Sequence, residues 1–128
     1  MLLDVCDVDH LPANLVPAFH AIRAGLLLRL ERHADASLAA REGLNQASED
    51  KLLESVLWER LAVANSKLGL FAEAEDAGQR SLALRQQLLQ AGDPGVVKLF
   101  EQTAAALRRE GREAEAAEIE RQISTASQ

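Results

Sequence analysis

The chain is predicted to be all-α, built from three helix–turn–helix repeats. Three observations predict this. Leu, Ala, Glu, Arg and Gln dominate the sequence, all good helix formers, while β-branched residues are scarce. Small and apolar residues recur three and four apart, as in Trp58, Leu61 and Ala62 and again in Ala74, Ala77, Ser81 and Leu82. Turn and capping residues fall between these periodic stretches at short intervals, which sets neighbouring helices antiparallel.

In order along the chain, residues 1–13 are the least periodic. Asp7-Val8-Asp9-His10-Leu11-Pro12 is rich in turn formers and reads as a loop, with Met1 to Cys6 a short or partial helix. Asn14 is the expected N-cap of a first helix, with Pro17 at its third position, where a missing N–H costs nothing. That helix carries Ala21, Ala24, Leu27, Leu28 and Leu30 and is expected to reach about Arg32. His33-Ala34-Asp35 is the expected turn into a second helix bearing Leu38, Ala39, Leu44 and Ala47. Ser48-Glu49-Asp50 breaks it and caps the next.

The third helix is expected to run to Leu68, where Gly69 supplies the left-handed C-cap conformation. The fourth spans about 71–90. Asp93-Pro94 restarts the chain with an N-cap carboxylate and a proline at the first helical position. The fifth helix reaches Glu110, Gly111 closes it, and the sixth covers about 112–123. Residues 124–128 read as a polar, disordered tail. The repeats so defined are about 14–48, 49–91 and 93–123.

Bulk properties narrow the function. A net charge of −6 argues against a nucleic-acid footprint, and 3% aromatics with no Tyr argues against binding by base stacking. No apolar run approaches a membrane span, and the first residues lack the basic stretch of a secretory signal. The single cysteine, Cys6, suits a reducing compartment, so a cytoplasmic protein is expected. Cys6 and His10 lie four apart but no second ligand pair accompanies them, while His20 and His33 are isolated. No metal, cofactor or catalytic constellation is therefore predicted.

The repeats superimpose at a 34-residue offset (58 minus 24), pairing Leu27 with Leu61, Leu28 with Ala62, Asp35 with Gly69 and Ala40 with Ala74. A third copy follows 42 residues on (100 minus 58), with Phe100 for Trp58, Ala104 for Ala62, Gly111 for Gly69 and Ala116 for Ala74. Trp58, Leu61, Ala62, Asn65, Gly69, Ala74, Gly78 and Ser81 together resemble the tetratricopeptide repeat family. Gly69 to Ala74 and Gly111 to Ala116 match it best, and the longer third spacing is similar to kinesin-light-chain-type arrays. Asn65 and Glu31 stand where the family prefers Tyr, and Gly78 where it prefers a large aromatic.

The resemblance implies a right-handed α–α superhelix over 14–123, acting without bond chemistry by presenting a preformed concave face to another protein. It makes Trp58, Leu61, Ala62, Gly69, Ala74, Phe100, Gly111 and Ala116 structural. The concave positions it implies are Arg29, Arg32, Val56, Glu59, Arg60, Val63, Lys98, Glu101 and Arg108. Five of these are cationic, so the expected partner is a peptide or helix with acidic and aliphatic residues. Of the residues that family members use to clamp a terminal carboxylate, only Lys98 fits. The alternatives are homo-oligomerisation through uncapped repeat ends, and an enzyme with an inter-helical site.

Overall fold

The computed structural model describes residues 11–46 and 49–126. The readings of residues 1–10, of Ala47 and Ser48, and of the last two residues lie outside them. The described residues are all-α, with no strand. A 3-10 turn, Ala13–Leu15, leads into α1 (Val16–Arg29). Then follow α2 (His33–Leu44), α3 (Lys51–Lys67), α4 (Phe71–Gln90), α5 (Pro94–Arg109) and α6 (Glu113–Ala126). None is long and apolar enough to cross a membrane. The chain divides into two compact units, residues 1–84 and 85–128, with the boundary inside α4.

Local chemistry explains most of the ends. Asp50 accepts a bond from the Leu53 amide at 3.0 Å and Asp93 one from Val96 at 3.0 Å, so each carboxylate satisfies an otherwise orphaned N–H. The turns that close α1, α3 and α5 are one structure, which also closes α4 at Gly92. Glu31, Gly69 and Gly111 have φ of 60°, 81° and 77°. In each turn the next amide closes back on a helical carbonyl: Arg32 to Leu27 at 2.9 Å, Leu70 to Asn65 at 2.8 Å and Arg112 to Leu107 at 2.8 Å.

These turns correct the register of the first repeat. Glu31, not Asp35, corresponds to Gly69, so the first spacing is 38 residues (69 minus 31) and the second 42 (111 minus 69). His20 then stands where Trp58 and Phe100 stand, Ala24 matches Ala62 and Ala104, and Ala36 matches Ala74 and Ala116. The turn was hidden because a glutamate occupies the left-handed position, at a steric cost of roughly 1–2 kcal/mol that glycine avoids.

Several boundaries move accordingly. Helix α1 stops at Arg29, and His33, Ala34 and Asp35 form the first turn of α2. Asn14 lies in the 3-10 turn rather than capping α1, and Pro17 is the second helical residue. Ser124 to Ala126 belong to α6 instead of a tail. Leu30, Leu38 and Leu82, all counted toward helix interfaces, are more than half exposed at 55%, 51% and 53%.

In the first unit α1 packs on α2 and α3, and α2 on α3. The core is mostly alanine: Ala24, Ala36, Ala39, Ala40, Ala64 and Ala77 surround Leu27 and Leu61, with Trp58 and Ala62 at its margin. Small side chains let helices approach closely. The tightest point is Gly43, where a Cβ would lie 2.7 Å from Leu57 and 3.0 Å from the His20 Cβ. Buried polar groups pair across the same contacts. The Ser37 hydroxyl donates to Asn65 Oδ1 at 3.2 Å and the Ser81 hydroxyl to the Ser55 carbonyl at 2.8 Å. In the second unit α5 packs on α6, and the buried residues are Leu89, Val96, Ala104 and Ala116.

Candidate docking surface

Helices α1 and α3 run side by side and leave an open groove of about 440 Å³ between them. Ala21, Ala24 and Leu27 turn one face of α1 into the core, so Ile22 and Leu26, four residues apart, come out on the other. Val63 does the same on α3. Ile22, Leu26 and Val63 are 62%, 39% and 41% exposed, and all three line the groove. Leaving that much branched aliphatic surface in water has no structural benefit to the monomer.

Four of the residues implied as concave come together here: Arg29 from α1, and Glu59, Arg60 and Val63 from α3. Arg60 does not swing freely. Its guanidinium crosses to α1 and donates to the Ala21 carbonyl, and it rests against Gly25, where a Cβ would lie 3.0 Å from Cζ. Arg29 and Glu59 are exposed.

The other implied residues are placed elsewhere. Val56 is half-buried on α3 and does not line this groove. Arg32 is no part of α1: it sits in the turn and binds Asp35 at 2.6 Å. Lys98, Glu101 and Arg108 belong to α5, in the second unit. Lys98 and Glu101 are exposed, whereas Arg108 bonds to Glu120 and Glu113 of α6. Those bonds, the one to Glu120 foremost, hold its guanidinium above its ordinary pKa. The expected five-cation face is thus reduced by neutralisation of Arg32 and Arg108 within the chain.

The residues expected to be structural are placed as follows. Leu61 and Ala116 are buried, while Trp58, Ala62, Ala74 and Phe100 are half-buried. Trp58 also receives Arg80, whose guanidinium carbon lies 5.1 Å from the ring centroid. Gly69 and Gly111 take the left-handed conformation expected of them.

One polar cluster escaped the sequence reading. His20 is 4% exposed, and its Nδ1 makes no hydrogen bond. Glu42 Oε2 is 3.7 Å from that nitrogen and 3.2 Å from Arg23 Nη1. Burial pushes the imidazole pKa down, Glu42 opposes this and Arg23 adds to it. The 38-residue register was the available signal, because it puts His20 at the position of Trp58 and Phe100. Among the described residues, no group of three His, Cys, Asp or Glu side chains is placed to hold a metal ion. Comparison with family models, with curated proteins and with solved structures finds no match to the chain.

Proposed function

We propose that the chain is a protein-binding module of the tetratricopeptide-repeat type, whose α1–α3 groove receives a segment of a partner protein. The observation that carries this reading is the aliphatic row Ile22, Leu26 and Val63, exposed between charged side chains in a concave surface. Recurrence of one turn at Glu31, Gly69 and Gly111 supports stacked helix pairs, and with them a right-handed superhelix. The module works by presenting shape and charge; the partner supplies the complementary surface.

Site-specific photocrosslinking tests the assignment. A photoreactive residue at Ile22 is expected to trap a discrete partner in the native cellular extract, and Val63→Asp in the same chain to abolish the adduct. A photoreactive residue at the exposed Leu82 serves as control. Equal capture from Ile22 and Leu82, or capture indifferent to Val63→Asp, refutes the groove as the docking surface. An adduct of twice the chain mass identifies the partner as a second copy.

A further inference from the structure

We infer that the groove recognises a side-chain carboxylate set among aliphatic residues of the partner protein, and that Arg60 is the group that reads it. The inference rests on the docking role of the groove and adds the chemistry of its occupant.

Three features of the groove lead there. First, Arg60 is preorganised. A free arginine loses much rotamer entropy on binding, but here one of its five N–H donors is already committed to the Ala21 carbonyl. The guanidinium fills the space that a side chain at position 25 would take. Glycine at that position is what admits it. A planar fork held in place is suited to a carboxylate, which it meets through two parallel bonds.

Second, its surroundings raise the strength of such a bond. Ile22, Leu26 and Val63 flank Arg60 in the groove. Aliphatic residues of a partner packing on them exclude water, and a charged hydrogen bond beside them gains from the lower local dielectric. Ile22 and Leu26 are about 6 Å apart along α1, at 1.5 Å per residue over four residues, so one or two partner side chains cover the pair.

Third, the charge of the groove is asymmetric. The α1 sequence, Val16 to Arg29, contains arginines and no acid, and Arg29 lies one turn beyond Gly25 on the groove wall. Glu59 is the one carboxylate in the lining, on α3. A carboxylate entering over α1 therefore meets Arg60 and Arg29, while a cationic segment meets them as repulsion. In a chain of net charge −6, this cationic wall is a local reversal of the prevailing sign, and it selects against cationic segments.

Titration of the full chain with a matched peptide pair tests the inference: acetyl-Ala-Leu-Asp-Ala-Ile-Ser-amide and the same peptide with Asn in place of Asp. Binding is followed by the methyl resonances of Ile22 and Val63. At low salt the Asp peptide is expected to bind about tenfold more tightly than the Asn peptide, the value of one charge-assisted hydrogen bond in a half-exposed site. Arg60→Gln is expected to bring the ratio near one. Arg60→Lys, which keeps the charge without the fork, should leave it in between.

Gly25→Ala provides a variant whose fold is not at risk, since its methyl meets only the tip of a flexible side chain. It should displace Arg60 and lower the Asp-to-Asn ratio. Methyl shifts that are equal for both peptides, or a ratio untouched by both Arg60→Gln and Gly25→Ala, overturn the carboxylate reading and leave groove docking standing. No shift with either peptide at millimolar concentration removes the docking role and this inference together.

Discussion

Two groups of helices in this chain solve the same packing problem differently. The α1–α3 region is held through its interior: an alanine-lined core, a glycine at the closest crossing, and hydroxyl and amide groups paired out of water. The α5–α6 pair buries only Val96, Ala104 and Ala116 within its own helices and carries its polar bonds on the surface. Arg108 reaches Glu113 and Glu120, Arg112 reaches Glu110 and Glu115, and Arg121 reaches Glu118, all in exposed positions. Exposed ion pairs contribute little to stability because water and salt compete for both partners, whereas interior contacts have no such competitor. The difference teaches where stiffness is placed: the helices that form the groove are the ones with the dry core.

The largest expected effect of breaking that contrast is in the interior. Leu57 is 1% exposed and touches the Gly43 crossing, so Leu57→Ala should cost about 2–5 kcal/mol, read from chemical denaturation. A loss below about 1 kcal/mol places the core elsewhere. Next comes Asn65→Ala, which strands the Ser37 hydroxyl in the core and should cost about 1–3 kcal/mol. The double variant with Ser37→Ala should recover part of that loss; strict additivity argues against the bond.

A third, signed effect comes from His20. Its native pKa lies below its ordinary 6.5, so the unfolded chain takes up the proton first as pH falls. The stability associated with the neutral imidazole is complete above about pH 6.5, drains as pH falls below it, and levels off under the depressed native value. Melting temperatures at pH 7.5 and 5.5 should show the decline, and His20→Phe should flatten it. An unchanged slope in that variant assigns the decline to other groups.

Smaller still, Glu31→Gly should stabilise by about 1 kcal/mol, because it relieves a left-handed glutamate. Gly69→Ala, at φ 81°, should do the reverse. The smallest effect is expected on the other side of the comparison. Arg112→Ala removes two surface partners, and its melting curve in high salt should overlay that of the wild type. A clear loss there shows the surface network to be structural.

Much of the fold was legible because helix ends are written in local chemistry. Asp50, Asp93, Gly69 and Gly111 act within three or four residues of themselves, and each does in the structure what its type suggests. The first turn was misread for the same reason. Glu31 carries no turn signal, so the 34-residue superposition had nothing local to oppose it. A comparison of Ala34-Asp35-Ala36 with Ala72-Glu73-Ala74 and Ala114-Glu115-Ala116 contains the 38- and 42-residue registers.

The groove was half legible. The family resemblance implied Glu59, Arg60 and Val63 as groove residues, but the shifted register misassigned Arg32. What could not be read is the reach of Arg60 across to Ala21 and Gly25, 39 and 35 positions away. That contact depends on side-chain length and interhelical distance, neither of which has a local signature. His20 was passed over as isolated for the same reason, since Glu42 becomes its neighbour only once α1 and α2 pack.

Gly43 bears on how the protein can change over generations. It lies in a helix, has an unexceptional backbone, and touches no ligand-facing residue, so nothing chemical marks it out. Yet even the smallest side chain there collides with Leu57 and the His20 Cβ at once. In a library of all single substitutions, position 43 should be among the least permissive in the chain, alanine included. Tolerance should return only where a second change, such as Leu57→Ala, vacates the space. Variation at the groove and variation at this crossing are thus under opposite regimes: the exposed residues can change without disturbing the core, and an invisible hydrogen atom fixes the platform they stand on.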